Sequence, residues 1–188
     1  DNIPEAFRWT AAGGMVGLGD LPGGNFESRA YAVSADGSVV VGYGISALGQ
    51  EAFRWTASGG MQGLGDLLGG DYLSNAYGVS ADGSVVVGFG TWGAWWADQQ
   101  EAFLWTAATG MVGLGHLPGG ADSSRAYAVS ADGSTVAGWS ASGNSIHEAF
   151  RWTASTGMQG LGDLPGGAFD SWAQGVSADG SVIVGTSL

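Results

Sequence analysis

Short apolar runs alternate with glycine-bounded polar breaks along the chain, and the whole pattern recurs four times. The block Glu-Ala-Phe-Arg-Trp-Thr starts at Glu5, Glu51 and Glu148, with Glu-Ala-Phe-Leu-Trp-Thr at Glu101, so the offsets are 46, 50 and 47 residues. A second block, Gly-Leu-Gly-Asp-Leu-Pro-Gly-Gly and close variants, starts at Gly17, Gly63, Gly113 and Gly160. A third, Val-Ser-Ala-Asp-Gly-Ser, starts at Val33, Val79, Val129 and Val176 with the same offsets. Three blocks moving in lockstep define one repeated unit of about 47 residues.

Within a unit the runs are too short for helices and rich in Val, Phe, Trp and Tyr, which predicts four strands. In the second copy these are A (30–35), B (38–43), C (51–56) and D (61–66). Asp36-Gly37 separates A from B as a tight turn, and 57–60 is the hairpin loop between C and D. Phe7, Phe53, Phe103 and Phe150 alternate with Trp9, Trp55, Trp105 and Trp152 along strand C, and with the repeated Met15, Met61, Met111 and Met158 they are expected to be core.

The chain opens at strand C and ends after strand B, so its two ends add up to one further unit. The expectation is an all-β, four-bladed β-propeller forming a single domain over 1–188. Its blades are 30–66, 76–116, 126–163, and 173–188 joined with 5–20, closed by pairing of the N- and C-terminal strands. Closure would remove exposed sheet edges.

Charge narrows the choice of partner. Seventeen carboxylates face five arginines, for a net charge of -12, a field that repels nucleic acid and anionic lipid. No apolar run reaches the roughly 18 residues of a membrane span. Cysteine is absent, which excludes disulfides and thiolate metal sites. The opening Asp1-Asn2 reads as the start of a processed secreted protein or of a fragment.

The three repeated blocks resemble the bacterial HAF family of extracellular repeats over essentially the whole chain. That resemblance implies a secreted or cell-surface protein, in some members a passenger of a larger exported chain, and supplies no catalytic residue.

Residues present in every unit answer to the scaffold. On that basis Ser28, Ser74, Ser124 and Ser171 are not expected to provide a nucleophile. Asp36, Asp82, Asp132 and Asp179 could ring an axis and hold calcium, but a turn aspartate is the favoured reading and no cofactor is expected. Arg8, Arg54 and Arg151 accompany Asp20, Asp66 and Asp163, whereas the third unit has Leu104 with His116. This joint change predicts an Arg-Asp pair between neighbouring strands, lost in one unit.

Variation instead marks the B-to-C loops (43–50, 89–100, 139–147) and the D-to-A loops, which propeller geometry puts on one face. The candidate ligand-binding residues there are Trp92, Trp95, Trp96, Asp98, Tyr72, Asn75, Asp122, Arg125, Trp172, Phe26, Arg29 and His147. Aromatic rings beside carboxylates, Arg and Asn suit the apolar faces and hydroxyls of sugars, so a glycan or surface polysaccharide is the expected partner. Two other classes stand beside this one. The first is a polysaccharide hydrolase or lyase using carboxylates such as Glu27, Asp98, Asp122 and Asp170. The second is a structural repeat of an adhesin or autotransporter passenger. A metal site joining His116 and His147 to Asp98 or Asp122 matches no ligand spacing and is not expected.

Overall fold

A computed structural model describes residues 3–69, 72–92, 99–143 and 147–188. Among these there is no helix, and sixteen strands run in sequence order. They are β1 (Phe7–Thr10), β2 (Gly14–Gly17), β3 (Gly23–Val33), β4 (Val39–Ser46), β5 (Gly49–Thr56), β6 (Gly60–Gly63), β7 (Ser74–Val79) and β8 (Val85–Thr91). There follow β9 (Gln100–Thr106), β10 (Gly110–Gly113), β11 (Ser124–Val129), β12 (Thr135–Ser140), β13 (Glu148–Thr153), β14 (Gly157–Gly160), β15 (Ser171–Val176) and β16 (Ile183–Ser187).

Three complete antiparallel sheets, β3 to β6, β7 to β10 and β11 to β14, each run in the predicted A-B-C-D order. Two-stranded sheets flank them, β1 with β2 at one end and β15 with β16 at the other. The expected closure is thereby corrected, since the terminal strands belong to separate sheets and the described array is open. The physical reason is that each terminal pair is anchored to its sequence neighbour. Ala6, Leu18 and Leu21 bury against Val40 and Phe53, while Ala173 and Ile183 bury against Ala137 and Ala149.

One contact repeats at the first three of the four interfaces between successive sheets. A strand-C phenylalanine fills a socket made by the preceding unit, so that Phe103 meets Ala52 and Leu64, and Phe150 meets Ala102 and Leu114. Phe53, Phe103 and Phe150 are fully buried, as expected of core, and each contributes roughly 1.5–3 kcal/mol of apolar burial. Their first-unit equivalents depart from that expectation: Phe7 is 52% and Trp9 62% exposed, with no sheet against them among the described residues.

A buried serine then staples each interface. Ser74 Oγ accepts the Ala52 N–H at 2.9 Å and donates to the Gly65 carbonyl at 2.6 Å, tying strands C and D of one unit to strand A of the next. Ser28, Ser124 and Ser171 do the same for Ala6, Ala102 and Ala149. These serines recur because the interface recurs; Ser74, Ser124 and Ser171 open their strands and Ser28 lies within β3, none of them in a loop.

Polar repeats close the turns. Asp36 Oδ1 accepts the Ser34 hydroxyl at 2.7 Å and the Ser38 N–H at 2.9 Å, which holds its carboxyl down at about 2. Gly37 supplies the positive φ of 71° that the turn requires. Neighbouring turns join by backbone hydrogen bonds, Ala35 N–H to Ala81 O, Ala81 N–H to Ala131 O, and Ala131 N–H to Ala178 O. Glu51 Oε1 accepts the Gly65 N–H, and a Cβ at Gly63 would overlap that carboxylate.

The Arg-Asp pairing is corrected. Strand register places Arg54 opposite Gln62, and its Nε donates to the Gly83 carbonyl of the next unit's turn, as Arg8 does to Gly37. Asp66 lies beyond the far end of strand D, accepting the Leu67 and Leu73 N–H groups instead. In the third unit Leu104 packs on apolar neighbours and His116 bonds Asp122 at 2.8 Å, so the two substitutions have separate causes.

Candidate functional site

The inner strands β3, β7, β11 and β15 each carry a one-residue register shift against their hairpin partners. The skipped residues are Tyr31, Tyr77, Tyr127 and Gln174. A β-bulge re-aims the extra side chain away from the alternating pattern, and here it gathers one residue per unit into a single row. Tyr31 and Tyr77 stand 5.2 Å apart between ring centroids, and Tyr77 and Tyr127 5.4 Å, with a 50° tilt at each step. Burial raises the Tyr77 hydroxyl above its ordinary value. With Trp172 and Gln174 the three tyrosines line an open cleft of about 530 Å³.

Beside this row lies a second layer contributed by residues that differ between units. Arg29, Asn75, Arg125 and Trp172 follow the stapling serines, and the first three stand opposite Tyr43, Phe89 and Trp139 on the neighbouring strands. Each unit reaches across to the next from the residue before its repeated glutamate. Gln50 Nε2 donates to Asn75 Oδ1 at 2.9 Å, Arg125 Nε donates to Gln100 Oε1 at 2.5 Å, and the His147 ring lies 5.1 Å from that of Trp172. The Arg125 guanidinium sits 4.5 Å over the Phe89 ring, an orientation that leaves the side chain held by stacking and by one hydrogen bond together.

Trp139 fixes the corner between the two layers. Its Nε1 donates to the Tyr127 hydroxyl at 3.1 Å, and its ring meets His147 edge-on at 4.5 Å. Arg125, Tyr127, Trp139, His147, Trp172 and Gln100 line a further open cavity of about 430 Å³. Tyr127 and Trp172 border both cavities, so the two form one continuous surface.

Arg125, Trp172 and His147 meet at one cavity, and Asn75, Arg125 and Trp172 lie on strands, with His147 just before β13, rather than on loops. Tyr43 lies within β4, and β4 joins β5 through residues 47–48 alone, so the first B-to-C connection is a hairpin. Arg29 contacts Glu27 at 3.6 Å, and the Tyr43 hydroxyl donates to the same carboxylate at 3.3 Å. Phe26 is exposed on the early part of β3. Asp122 is engaged with His116, and Tyr72 with Glu51, whose charge adds to burial in pushing the Tyr72 hydroxyl up to about 12. The indole N–H of Trp92 is buried without a hydrogen-bond partner. Trp95, Trp96 and Asp98 lie outside the described residues.

Among the described residues no three His, Asp or Glu side chains gather as a metal site would require. The two histidines pair separately, His116 with Asp122 and His147 with Asp170 at 3.1 Å. Sequence reasoning missed Tyr31, Tyr77 and Tyr127 because they repeat and so resemble scaffold. The replacement of their fourth counterpart by Gln174 was the available signal.

In comparisons with known proteins, no family model matches the chain and no curated protein matches it. Among solved structures it is similar to TolB from Acinetobacter baumannii, at 15% identity and a TM-score of 0.57, over 81% of this chain and 36% of that one. It is also similar to a candidate TolB from Agrobacterium tumefaciens, at 14% identity and a TM-score of 0.54, over 97% of this chain and 70% of that one. The chain thus spans little more than a third of the first protein's length. At such identities the likeness concerns the fold, which is all-β and propeller-like.

Proposed function

We propose that this chain is an extracellular or cell-surface binding module for carbohydrate, a glycan or surface polysaccharide, held along the inner face of a four-unit propeller-type array. The observation that carries the reading is the row Tyr31, Tyr77 and Tyr127 leading to Trp172, a line of rings spaced at about the length of one pyranose unit. Aromatic faces complement the apolar CH faces of sugars, and Asn75, Gln100, Arg125 and Gln174 offer hydrogen-bonding groups beside them. The reading therefore moves the centre of the site from variable loops to bulged inner strands. A net charge of -12 favours neutral glycans over sulfated or phosphorylated ones. The resemblance of the repeat blocks to the HAF family supports the location.

A glycan array followed by tryptophan-fluorescence titration tests this. A neutral oligosaccharide should perturb Trp172 and Trp139 emission, and Tyr127→Ala or Trp172→Ala should each weaken binding about tenfold or more, the value of about 1.4 kcal/mol. Tyr127→Phe, which keeps the ring, should retain most of the affinity. No binding by any neutral glycan, or binding that survives Tyr77→Ala, Tyr127→Ala and Trp172→Ala combined in a folded protein, would overturn the proposal.

A further inference from the structure

Of the five arginines, three are bonded near the A-to-B turns and a fourth faces a carboxylate. Arg8 and Arg54 donate to the Gly37 and Gly83 carbonyls, Arg151 Nη2 donates to the Thr135 hydroxyl, and Arg29 contacts Glu27. Arg125 differs from all of these. The chain carries 17 carboxylates, yet among the described residues none forms an ion pair with Arg125. Asp122 is held by His116, and Asp170 by His147, which lines the same cavity as Arg125.

The side chain is nevertheless fixed in place. Arg125 stands opposite Trp139 in the pairing of β11 with β12, and its guanidinium lies 4.5 Å from the Phe89 ring centroid and 5.7 Å from that of Trp139. Its Nε donates to Gln100 Oε1. Two rings and a hydrogen bond, drawn from two successive sheets, hold a long side chain that would otherwise lose rotamer freedom on binding. With Nε engaged, Nη1 and Nη2 remain, and neither has a hydrogen-bond partner among the described residues. That edge offers two parallel N–H groups, which a planar carboxylate accepts together. The charge also reaches the ring row: at Tyr77 burial raises the hydroxyl and the Arg125 charge pulls it down.

We propose that Arg125 forms an acidic-sugar subsite beside the ring row, taking the carboxylate of a single uronic acid residue in an otherwise neutral glycan. The inference rests on the carbohydrate reading above and adds to it the identity of one sugar. The carboxylate accepts from Nη1 and Nη2 at the cavity of about 430 Å³ that Arg125 shares with Trp139, His147 and Trp172. Tyr127 and Trp172 border both this cavity and the tyrosine cleft, so neutral sugars of the same glycan continue onto the rings. Net charge limits the anion. One unpaired cation in a chain of net charge -12 holds one carboxylate, whereas further acidic groups on the glycan meet repulsion.

Isothermal titration calorimetry at low salt tests the subsite, on a panel of oligosaccharides containing one glucuronate or galacturonate. Each is paired with its carboxyl-reduced neutral form and with a singly sulfated version of that neutral form. At least one uronate oligosaccharide should bind about tenfold or more tightly than its reduced partner. Arg125→Met, which keeps an apolar stem beside Phe89, should bring the two affinities together. Arg125→Lys, which keeps the charge without the fork, should retain only part of the preference, and both variants should keep the circular-dichroism spectrum. Reduced forms that bind the wild type as well as their uronates do would overturn the subsite and leave the carbohydrate reading standing. So would a preference that survives Arg125→Met in a folded protein, or sulfated forms that bind as tightly as the uronates. Binding by no member of the panel, acidic or neutral, would overturn both.

Discussion

Removing one hydroxyl from the middle of the array should uncouple two units. Ser124 is fully buried, and its Oγ accepts the Ala102 N–H at 2.9 Å while donating to the Gly115 carbonyl at 2.7 Å. Ser124→Ala leaves both backbone groups without that partner, at an interface where Ala102 and Ala126 are sealed from water. An unsatisfied buried donor or acceptor costs about 1–3 kcal/mol, so the expected loss is about 2–4 kcal/mol after partial relaxation. Because stability in a repeat array is roughly a sum of units and nearest-neighbour interfaces, the loss should appear first as separation of β7 to β10 from β11 to β14. Urea unfolding followed by tryptophan fluorescence measures the total. Amide hydrogen exchange locates it, and the Ala102 N–H should lose protection by about 30-fold or more, at 1.4 kcal/mol per tenfold. Ser134→Ala provides the control, since Ser134 is exposed and bonds only to the turn carboxylate of Asp132. If Ser124→Ala cost under about 0.5 kcal/mol, the range of an ordinary surface change, with Ala102 protection unaltered, the staple would have no energetic role.

Two glycine substitutions should differ sharply. A Cβ at Gly88 would overlap the backbone carbonyl oxygen of Asn75 beside the bulge, so Gly88→Ala should prevent β7 and β8 from pairing and yield insoluble or unfolded protein. Gly115 has a φ of 76° and open space around it, so Gly115→Ala should cost only the left-handed strain, about 1–2 kcal/mol by urea titration. Equal effects would refute the steric account. The pH dependence should have two opposed limbs. Burial raises the Asp66 carboxyl to about 6 against the downward pull of the Leu73, Leu67 and Thr91 hydrogen bonds, so the folded state takes up this proton before the unfolded chain does. Its contribution to stability therefore increases as pH falls through 6 toward 4, and Asp66→Asn should abolish that limb. Asp36, Asp82, Asp132 and Asp179 are held down at about 2 chiefly by serine hydroxyls, so the stability they add above pH 4 should disappear as pH falls through 2. A urea midpoint that declined steadily from pH 7, in parallel for wild type and Asp66→Asn, would contradict the first limb.

Much of this molecule was legible in local pattern. Spacing and residue type place the strand segments and the Asp-Gly turns, because those features depend on contacts between residues close in sequence. Non-repetition among the units pointed to Arg125, Trp172 and His147, which the structure gathers around one cavity, and to Asn75, which accepts a hydrogen bond from Gln50 outside it. The same rule failed for Tyr31, Tyr77 and Tyr127. Strict alternation cannot show that these rings turn into one row, since the bulge that turns them exists only once two strands have paired out of step. It failed also for the arginines, where covariation suggested a partner that strand register carries away.

Sequence by itself determined a repeating all-β unit, its strand order and the repeated phenylalanine of strand C as core. These follow from periodicity and turn chemistry within some fifty residues. Whether the first and last strands meet depends on the small rotation from one sheet to the next, summed over the array, and no single unit encodes that sum. Tertiary structure decided it, keeping the first and last strands in separate sheets and drawing the bulge tyrosines into a single row.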